Sequence, residues 1–573
     1  MCGIVGYVGE KNARDVVLNG LKTLEYRGYD SAGVAFLADE IKIFKTGGRV
    51  SDLNKILPCD VFHVGIGHTR WATHGAPTAV NAHPHISFDG NFAVVHNGVV
   101  TNCDKLKAEL KNKGIKLVSD TDSEIIAHLI ALEYDGDMLS TIEKVASRLQ
   151  GATTFLVMRK NDEAIYMRRY GASLAVGVAK DGQIVASDTL AITPYTKDVA
   201  VLCDGECATI DGKTARFFKN GKEIVKPFGK IDRTSPKDCS CHMRAEIDEI
   251  PSALLRAYDE VRACVDDGTI AMLKDAKRIL FCGCGTAYHA CLYGKRVFEK
   301  TGVPCDAVIA SEIDDVRFVD EDCLCVFITQ SGETADTLLA LAKCKSLGAK
   351  TVAVTNVQGS TITFDADRTI FIGAGAEIAV AATKSYVCQL LALYILARAR
   401  QDEMPEQKTV KDLAEKAKRM LKENPYESDV KEANLFFIGK GADNVTAKEG
   451  ALKFKEITCK MTDAYCAGEL KHGSIALIDQ KSVAYVIATN EKDVERVKAT
   501  ISELRARKAR VYCVTTSKEI TADKILALPK LDDEDLYPVL AIIPLQNLAL
   551  TASLCLGLDP DKPRNLAKSV TVI

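Results

Sequence analysis

Residues 278–286 read RILFCGCGT, an apolar run that ends in a glycine-rich turn, and residues 434–442 repeat the pattern as NLFFIGKGA. Apolar runs of this kind, each followed by a helical pattern, are typical of parallel strands that helices cover on both faces. Two further pairs of apolar runs repeat at nearly the same separation, 326–329 with 485–488 and 352–355 with 512–515. We therefore predict two copies of one doubly wound unit, in which ligands bind beyond the carboxyl ends of the strands.

The first copy contains a candidate anion site at the start of a helix. Thr329, Gln330, Ser331 and Thr334 belong to a polar turn that follows a buried strand and precedes a helical pattern over residues 335–344. Hydroxyl groups and backbone N–H groups at a helix N-terminus favour an anion such as phosphate. Helix capping by Ser331 alone is the alternative interpretation.

A second turn, on the neighbouring strand of the same copy, favours the anion site over capping alone. It consists of Cys284, Gly285 and Thr286. The turn lacks the third glycine of a dinucleotide-binding fingerprint, and no acidic residue ends a suitable following strand. We therefore predict neither a nucleotide nor any other cofactor at this site.

The first part of the chain has a different pattern. Short apolar runs separated by glycine and asparagine predict packed antiparallel sheets, and stretches of helical periodicity predict helices that flank them. The apolar runs are 4–8, 33–37, 64–66, 155–158 and 174–178, and the helical stretches are 13–25, 103–113 and 123–133. Together they predict a four-layer αββα sandwich, and the polar residues 232–238, DRTSPKD, indicate the linker that ends it.

Cys2 stands directly behind the initiator methionine, in the position of an N-terminal nucleophile. Aminopeptidases remove methionine before a small second residue, so Cys2 could carry both a thiol and a free α-amine with a pKa of roughly 8. The amine can accept the thiol proton directly or through a water molecule, which produces a reactive thiolate. The alternative is an ordinary small, buried cysteine in a first strand.

Several downstream segments favour the nucleophile over the buried cysteine. They read EYRGYDSAG (25–33), GHTRWATHG (67–75), NAHPH (81–85), HNG (96–98) and SDTDSE (119–124). Together with Cys2, these segments resemble the class II glutamine amidotransferase family over about the first 230 residues. The resemblance implies a fold of the N-terminal nucleophile type, in which Cys2 releases ammonia from the side-chain amide of glutamine.

The residue types in these segments suit that chemistry. Arg70 could bind the α-carboxylate of glutamine, and Asp122 could bind its α-ammonium group. Asn97 and the backbone N–H of Gly98 could form an oxyanion hole for the tetrahedral intermediate. The resemblance adds three further residues to the glutamine site: Trp71, Thr73 and His74.

The same residues also have simpler interpretations. Arg70 could be one half of a structural ion pair, and Asp122 could cap a helix. Asn97 and Gly98 could form a type I′ hairpin turn, which is compatible with an oxyanion role because such a turn aims an amide hydrogen at a substrate. Trp71 is the only tryptophan and could be a core aromatic residue, whereas the resemblance implies a gate on an ammonia path.

Histidines and cysteines are the candidate metal ligands of this sequence. Four histidines recur over a short stretch: His68, His74, His83 and His85. Metal ligands usually come with short, fixed spacing and with cysteines or carboxylates nearby, which this stretch lacks. The close cysteine pairs, at 239–242 and 282–284, lack the spacing of a structural zinc site. No metal is predicted, and the twenty dispersed cysteines indicate reduced thiols.

The composition describes an ordinary globular protein. The chain has 573 residues, of which 47% are hydrophobic and 26% charged, with a formal net charge of −3. These values give no reason to expect a nucleic-acid or membrane partner. No stretch approaches the roughly 18 uninterrupted apolar residues of a membrane-spanning helix, and no secretory leader is recognisable. We expect a cytoplasmic protein.

The duplicated part resembles sugar isomerase (SIS) domains, and a glutaminase followed by two such domains resembles the isomerizing glutamine:fructose-6-phosphate aminotransferase family. The expected boundaries are 1–230 for the glutamine amidotransferase domain, 231–245 for the linker, 246–420 and 421–557 for the SIS domains, and 558–573 for a C-terminal tail of the isomerase site. The resemblance implies glutamine and fructose 6-phosphate as substrates, glucosamine 6-phosphate as product, and a homodimer.

The resemblance also implies roles for individual residues of the second part. Glu456 would move a proton between C1 and C2 with Lys453 nearby, His472 would open the sugar ring of the partner subunit's site, and Lys568 would form a Schiff base with the ketose. The residues that would hold the phosphate and sugar hydroxyls are Thr286, Thr329, Gln330, Ser331 and Thr334.

Two of these roles have plain alternatives. Lys453 and Glu456 lie three positions apart, so spacing alone favours a surface salt bridge. Lys568 could be a charge on a frayed terminus, although the apolar residues 570–573 could pack inward and desolvate it. The chain also departs from its relatives, with Ala287, Thr329 and Ala382 where serine is common, which indicates fewer phosphate or sugar contacts.

Three other functions compete with that of the aminotransferase family. An amidophosphoribosyltransferase would share the first domain but needs an acidic loop at a strand end, and no such loop follows a strong apolar strand. A sugar-phosphate-sensing regulator would have no use for Cys2, Glu456 and Lys568 together. A deaminase working in the reverse direction would not need the glutaminase part.

Overall fold

The computed structural model describes residues 2–71, 75–231, 239–427 and 433–570. These residues form two compact units. The first unit contains residues 2–231 with the segments 359–364 and 567–570, and the second contains residues 239–358 and 365–566. The linker predicted at 232–238 lies outside the described residues.

Residues 2–231 of the first unit form antiparallel sheets and helices. The strands are β1 (Gly3–Gly9), β2 (Ser31–Leu37), β3 (Ile41–Thr46), β4 (Val64–Arg70), β5 (His85–Ile86), β6 (Phe92–Gly98), β7 (Thr153–Arg159), β8 (Ile165–Arg168), β9 (Ala175–Ala179), β10 (Gly182–Ala186), β11 (Asp198–Val201), β12 (Glu206–Ile210), β13 (Ala215–Lys219), β14 (Lys222–Ile224) and β15 (Gly229–Lys230). The helices are α1 (Ala13–Leu24), α2 (Val50–Ile56), α3 (Cys103–Asn112), α4 (Glu124–Glu133) and α5 (Met138–Arg148).

The strands make two stacked sheets with helices outside them. One sheet has the order β15-β11-β9-β10-β1-β4-β2-β3, and the other has the order β14-β13-β12-β8-β7-β6-β5. Side chains alternate along β1, because Ile4 and Val8 pack in the layer between the sheets whereas Val5 and Tyr7 pack with α1 and α2. Helices α3, α4 and α5 cover the outer face of the second sheet. This confirms the predicted four-layer αββα sandwich.

The Asn97–Gly98 turn predicted from the sequence is wrong. Both residues belong to β6, and Gly98 still pairs with Thr153 of β7. The glycine is needed because its φ is 135° and a Cβ there would lie 2.0 Å from the carbonyl oxygen of Ala152. The next element in the chain is α3, not a hairpin strand, so the motif ends a strand instead of reversing the chain.

The second unit alternates strands and helices. Its described strands are β16 (Arg278–Gly283), β17 (Cys305–Ile309), β18 (Cys323–Thr329), β19 (Lys350–Thr355), β20 (Arg368–Phe371), β21 (Asn434–Gly439), β22 (Thr462–Cys466), β23 (Ser482–Ala488), β24 (Arg510–Thr515) and β25 (Lys524–Ala527). The helices over the same part of the chain are α6 (His242–Asp248), α7 (Ile250–Cys264), α8 (Asp267–Asp275), α9 (Thr286–Glu299), α10 (Ala335–Ser346), α11 (Ile362–Asp365), α12 (Lys384–Arg400), α13 (Gln407–Met420), α14 (Ala442–Thr458), α15 (Val494–Arg505) and α16 (Tyr537–Cys555). Helix α11 begins in the segment 359–364 that groups with the first unit.

These strands form two parallel sheets of the same topology. Their orders are β17-β16-β18-β19-β20 and β22-β21-β23-β24-β25, and every pairing within them is parallel. In each sheet a glycine with positive φ, Gly285 at 56° and Gly441 at 65°, leads from the second strand of the order, β16 or β21, into the next helix. The predicted duplication of a doubly wound unit is confirmed. In both sheets the strand order reverses beside the central strand, where doubly wound proteins bind ligands.

Helix α16 was not expected to look like a membrane span. The run Glu534–Cys555 is long and apolar enough to cross a bilayer, with a mean hydropathy of 1.6 over its most apolar window. However, 83% of that window is buried, against elements that include α14, α13 and α12. Such burial is typical of the core helix of a folded domain, because a bilayer-facing helix would leave its apolar surface uncovered by protein.

Candidate active sites in the two units

Cys2 lies at the start of β1, next to the end of β4. The antiparallel pairing of Gly3 with Thr69 brings Cys2 beside Trp71, whose backbone N–H lies 3.4 Å from the Cys2 Sγ. Cys2 is half-buried and precedes the strand, so it is not the buried strand cysteine of the alternative interpretation. Trp71 is also half-buried and meets the ring of Tyr29 edge-on at 5.6 Å, which rules out a purely core role.

Asn97 reaches Cys2 from the second sheet. Its Nδ2 donates to the backbone oxygen of Cys2 at 3.2 Å, and its Oδ1 lies 3.1 Å from the Nε2 of His68. Gly98 follows directly along the strand. The structure therefore brings a thiol and a side-chain amide donor together, as the oxyanion-hole hypothesis requires.

Behind Asn97 lies a group of buried histidine rings. The rings of His68 and His83 stack at 4.0 Å, and those of His83 and His85 meet at 4.7 Å. Burial lowers the pKa of His68 to about 3 and also lowers the pKa values of His83, His85 and His96, so all four rings are neutral near pH 7. Within the described ranges, no group of three or more His, Cys, Asp or Glu side chains is placed to hold a metal ion.

Arg70 and Asp122 are both buried near Cys2. The Arg70 guanidinium donates to the carbonyls of Gly75 and Ala76 at 3.3 and 3.4 Å. Burial lowers the pKa of Arg70, and the acidic groups of Cys2, Asp122 and Asp30 oppose that shift, which places Arg70 within their electrostatic reach. Arg70 thus has both the Cys2 thiol and the Asp122 carboxylate within electrostatic range, so that a cation and an anion are available for an amino-acid ligand.

Asp122 does not cap a helix. Its Oδ2 accepts from the backbone N–H of Val100 at 2.7 Å, and its Oδ1 accepts from the Ser123 hydroxyl at 3.2 Å. Helix α4 begins only at Glu124, with Ser123 in the N-cap position. The capping alternative is therefore wrong. Thr73 and His74, the remaining predicted glutamine-site residues, lie outside the described residues.

The polar turn after β18 is present in the second unit. Thr329 ends the strand, its Oγ1 lies 3.2 Å from that of Thr334, and it accepts from the backbone N–H of Gly332 at 3.2 Å. Ser331 accepts from the backbone N–H of Glu333 and does not cap α10, which begins at Ala335 with Thr334 in the N-cap position. Helix capping by Ser331 is therefore wrong. Gln330 lies between Thr329 and Ser331 and is half-buried.

Thr286 connects the neighbouring turn to a buried ion cluster. It is the first residue of α9, and because β16 pairs with β18, the two turns lie at the same edge of the sheet. Its Oγ1 accepts from the Lys453 ammonium at 2.8 Å and donates to Glu449 at 3.1 Å. The predicted anion-site residue thus touches the predicted isomerase residue.

Lys453 and Glu456 do not form a surface salt bridge. The side chain of Lys453 is fully buried, with its Nζ 2.6 Å from Glu456 and 3.5 Å from Glu449. Burial by itself lowers the pKa of Lys453, but the two carboxylates outweigh this effect and raise it above its usual value. The surface interpretation failed because α14 packs against both α9 and α16, which encloses this face of the helix.

Sequence reasoning missed Glu449. This fully buried carboxylate accepts from the His289 Nδ1 at 2.7 Å in addition to its contacts with Thr286 and Lys453. Glu449, Lys453 and Glu456 are spaced four and three positions apart, so the helical period places them on one face. This spacing could have predicted that Glu449 joins Lys453 and Glu456, but the sequence argument paired only Lys453 with Glu456.

The two other predicted isomerase residues, His472 and Lys568, belong to different segments of the chain. His472 ends a short helical turn, Leu470–His472, on the exposed surface of the second unit. Lys568 is half-buried in the segment 567–570, which groups with the first unit. The structure therefore brings together Thr286, Lys453 and Glu456. Nothing in the structure explains why alanine stands at 287 and 382.

Family models match most of these regions. A glutamine amidotransferase domain model matches residues 68–194, which contain Arg70, Asn97 and Asp122. A SIS domain model matches twice, at 272–399 and 430–554. The two SIS matches contain the two parallel sheets and the Thr286 and Lys453 cluster.

Full-length relatives and a solved structure are also similar. The chain is 41% identical over 601 residues to a glutamine--fructose-6-phosphate aminotransferase [isomerizing] from Aquifex aeolicus (strain VF5), and the alignment covers 100% of both chains. It is 39% identical over 611 residues to the protein of that name from Caldanaerobacter subterraneus subsp. tengcongensis, again with 100% of both covered. A structure of the C-terminal domain of glucosamine-fructose-6-phosphate aminotransferase from Francisella tularensis is 30% identical, covers 57% of this chain and 100% of that chain, and has a TM-score of 0.50.

Proposed function

The chain belongs to the family of isomerizing glutamine–fructose-6-phosphate aminotransferases, and we propose that it converts L-glutamine and D-fructose 6-phosphate to L-glutamate and D-glucosamine 6-phosphate. The first unit would release ammonia from glutamine, and the SIS part would use this ammonia to aminate the sugar. The observation that carries the proposal is the presence of both candidate sites in one chain, a thiol with an amide donor and a buried Lys–Glu cluster beside a hydroxyl-rich turn.

Cys2 is the proposed nucleophile of the glutaminase step. After removal of Met1, its thiolate attacks the amide carbon of glutamine, and Asn97 Nδ2 and the Gly98 N–H donate to the resulting oxyanion. Ammonia then leaves, and water hydrolyses the thioester to glutamate. The Asn97 amide supports this role because its Nδ2 already lies 3.2 Å from the Cys2 backbone oxygen.

The α-carboxylate and the α-ammonium of glutamine are each bound by a charged side chain in this proposal. Arg70 would bind the α-carboxylate and Asp122 the α-ammonium, because the two are buried charges of opposite sign and Arg70 is within electrostatic range of both Asp122 and Cys2. Binding requires the Arg70 N–H groups to be shared with the carbonyls of Gly75 and Ala76. Trp71, Thr73 and His74 complete the proposed site, with Trp71 as a gate for ammonia.

The sugar reaction is proposed for the SIS part. His472, lent to the site of a partner subunit, opens the ring, and the Lys568 amine forms a Schiff base with the C2 carbonyl of fructose 6-phosphate. The imine forms with loss of water, and ammonia then adds to its C2 carbon and displaces the Lys568 amine. Glu456 removes a proton from C1 and returns it to C2, so that the C2 imine becomes an amine and C1 becomes an aldehyde. Lys453 holds the Glu456 carboxylate at 2.6 Å.

The two turns at the edge of the first parallel sheet would bind the phosphate and hydroxyls. Thr329, Gln330, Ser331 and Thr334 surround the start of α10, and Thr286 begins α9. Hydroxyl and backbone N–H groups at helix N-termini suit a phosphate dianion. No residue in this scheme requires a cofactor or a metal.

The organisation of the chain follows from this scheme. We infer a glutaminase domain at 1–230, a linker at 231–245, SIS domains at 246–420 and 421–557, and a tail at 558–573 that supplies Lys568. A cytoplasmic homodimer without membrane or nucleic-acid partners is the assembly that fits these roles.

Product analysis with glutamine and fructose 6-phosphate tests the proposal. We expect glucosamine 6-phosphate and glutamate in equal amounts. Formation of glutamate and free ammonia with no amino sugar, or of an amino sugar other than the 6-phosphate, would contradict it.

A further inference from the structure

His68 has no role in the reaction proposed above, although it contacts Asn97. It lies in the middle of β4 and is fully buried, and its Nε2 is 3.1 Å from the Oδ1 of Asn97 and 3.0 Å from the backbone oxygen of His96. Both neighbouring atoms are oxygens that only accept. The Nε2 atom must therefore carry the hydrogen and share it between them.

The environment keeps the ring in this single state. Burial holds the pKa of His68 far below neutrality, so the ring carries one proton. The other ring nitrogen, Nδ1, is buried and has no hydrogen-bond partner within the described ranges. The stacked ring of His83, 4.0 Å away and tilted by only 10°, fixes the plane of the imidazole. His68 is thus a rigid, neutral donor aimed at Asn97.

This donor decides which way the Asn97 amide points. The oxygen and nitrogen of an asparagine side chain have nearly the same shape, so packing alone does not distinguish the two orientations. With His68 donating to Oδ1, the Nδ2 group must face Cys2, where it is found. In the flipped amide, Nδ2 would face the N–H group of His68, which places two donors together. Oδ1 would then face the developing oxyanion, which it would repel.

We propose that His68 is a positioning residue for the glutaminase step, which fixes the side-chain amide of Asn97 so that its N–H group faces the oxyanion formed at Cys2. His68 acts through Asn97, whose Oδ1 lies 3.1 Å from its Nε2. The inference rests on the proposed function, because it assigns a support for one of its catalytic groups.

His68→Leu and His68→Gln form the matched pair of variants. Leucine removes the donor, whereas glutamine can place an N–H close to the position of the lost Nε2. We expect His68→Leu to lower the kcat of glutamine hydrolysis about 10- to 100-fold, less than complete loss of an oxyanion donor, with a change in KM below about 3-fold. His68→Gln should recover most of the loss. Equal losses in both variants would overturn the proposal.

A double-mutant cycle shows whether His68 acts through Asn97. Once Asn97→Ala has removed the amide, His68→Leu should have no further effect on kcat. Losses that multiply in the double variant would mean that His68 acts independently of Asn97, and the proposal would be wrong.

Alkylation of Cys2 by iodoacetamide separates positioning from damage to the thiol or the fold. Alkylation is a displacement that forms no oxyanion, so its rate at the Cys2 peptide, followed by mass spectrometry, should be the same in wild type and His68→Leu. A parallel fall in alkylation and hydrolysis would overturn the inference. Absence of glutamine hydrolysis in the wild-type chain would instead contradict the proposed function itself.

Discussion

The buried groups near Cys2 and those near Glu456 differ in charge. Behind Asn97 lie four buried histidines that burial keeps neutral. Around Glu456 lies a fully buried ammonium, Lys453, with a second buried carboxylate, Glu449. The proposed glutaminase reaction needs fixed neutral donors for a charge that appears only transiently, whereas the proposed isomerisation moves protons between carbons and needs resident charges. The comparison predicts that the two sites respond to different perturbations.

Cys2→Ala is expected to separate glutamine-dependent synthesis from isomerisation more strongly than any other variant. Loss of the proposed glutaminase nucleophile should lower glutamine-dependent synthesis of amino sugar by about 10⁴-fold or more. Glutamine-independent isomerisation of fructose 6-phosphate should persist, because the Lys453 cluster is untouched. Cys59→Ala, which removes an exposed thiol of the same unit, is the matched control and should change neither reaction. Continued use of glutamine by Cys2→Ala would remove the thiol from the mechanism.

Glu456→Gln is the converse change. Without a carboxylate base, isomerisation should fall about 10²- to 10⁴-fold while glutamine hydrolysis is retained. The control is Glu495→Gln, which alters an exposed glutamate that pairs with Lys498 at the same three-residue spacing. Isomerisation at the wild-type rate in Glu456→Gln would show that another group moves the proton.

Lys453→Met tests whether the buried charges depend on one another. Removing the ammonium leaves Glu449 and Glu456 without their shared counter-ion, so the second unit should lose about 3–5 kcal/mol of stability. Chemical denaturation followed by hydrogen exchange in α14 measures the loss. Lys498→Met, on the surface, should leave the midpoint unchanged. A stable Lys453→Met protein would mean that Lys453 is not required to balance the carboxylates.

Acid should act on the two units differently. The folded pKa values of His68, His83, His85 and His96 lie below the unfolded value of roughly 6.5, so their contribution to stability is complete above that pH and falls as the pH drops below it. Each ring contributes a slope of up to about 1.4 kcal/mol per pH unit.

One buried carboxyl of the second unit has the opposite sign. Burial raises the pKa of Asp443 to about 6, so its cost to the folded state is relieved as the pH falls through that value. Hydrogen exchange at pH 7 and pH 5 should therefore show loss of protection in β4 and β6 before β18 and β23. Simultaneous loss in all four strands would contradict the comparison.

The sequence predicts the architecture well because local pattern and burial agree there. Residues 279–282 and 435–438 are apolar, and both runs became interior strands of parallel sheets. The alternating pattern of β1 likewise reflects a strand with a different layer on each face. In these elements the pattern of apolar residues along the strand shows which of its faces are covered by neighbouring layers.

The errors arose where the partner of a residue is distant in the chain. Asn97 and Gly98 look like a turn, but β7 continues the pairing from residue 153 onwards. Glu449 meets Thr286 and His289 of another helix, more than 150 residues away. The importance of His68 becomes visible only when β4 and β6 are placed face to face. Such contacts are properties of tertiary packing, which spacing along one element does not contain.

The central claim is that nitrogen released at Cys2 is the nitrogen that enters the sugar. Glutamine labelled with ¹⁵N in its amide is supplied with fructose 6-phosphate in the presence of excess unlabelled ammonium, and the isotope in the amino sugar is measured by mass spectrometry. The account predicts that almost all glucosamine 6-phosphate carries ¹⁵N. Product with the unlabelled isotope of the surrounding ammonium would contradict it.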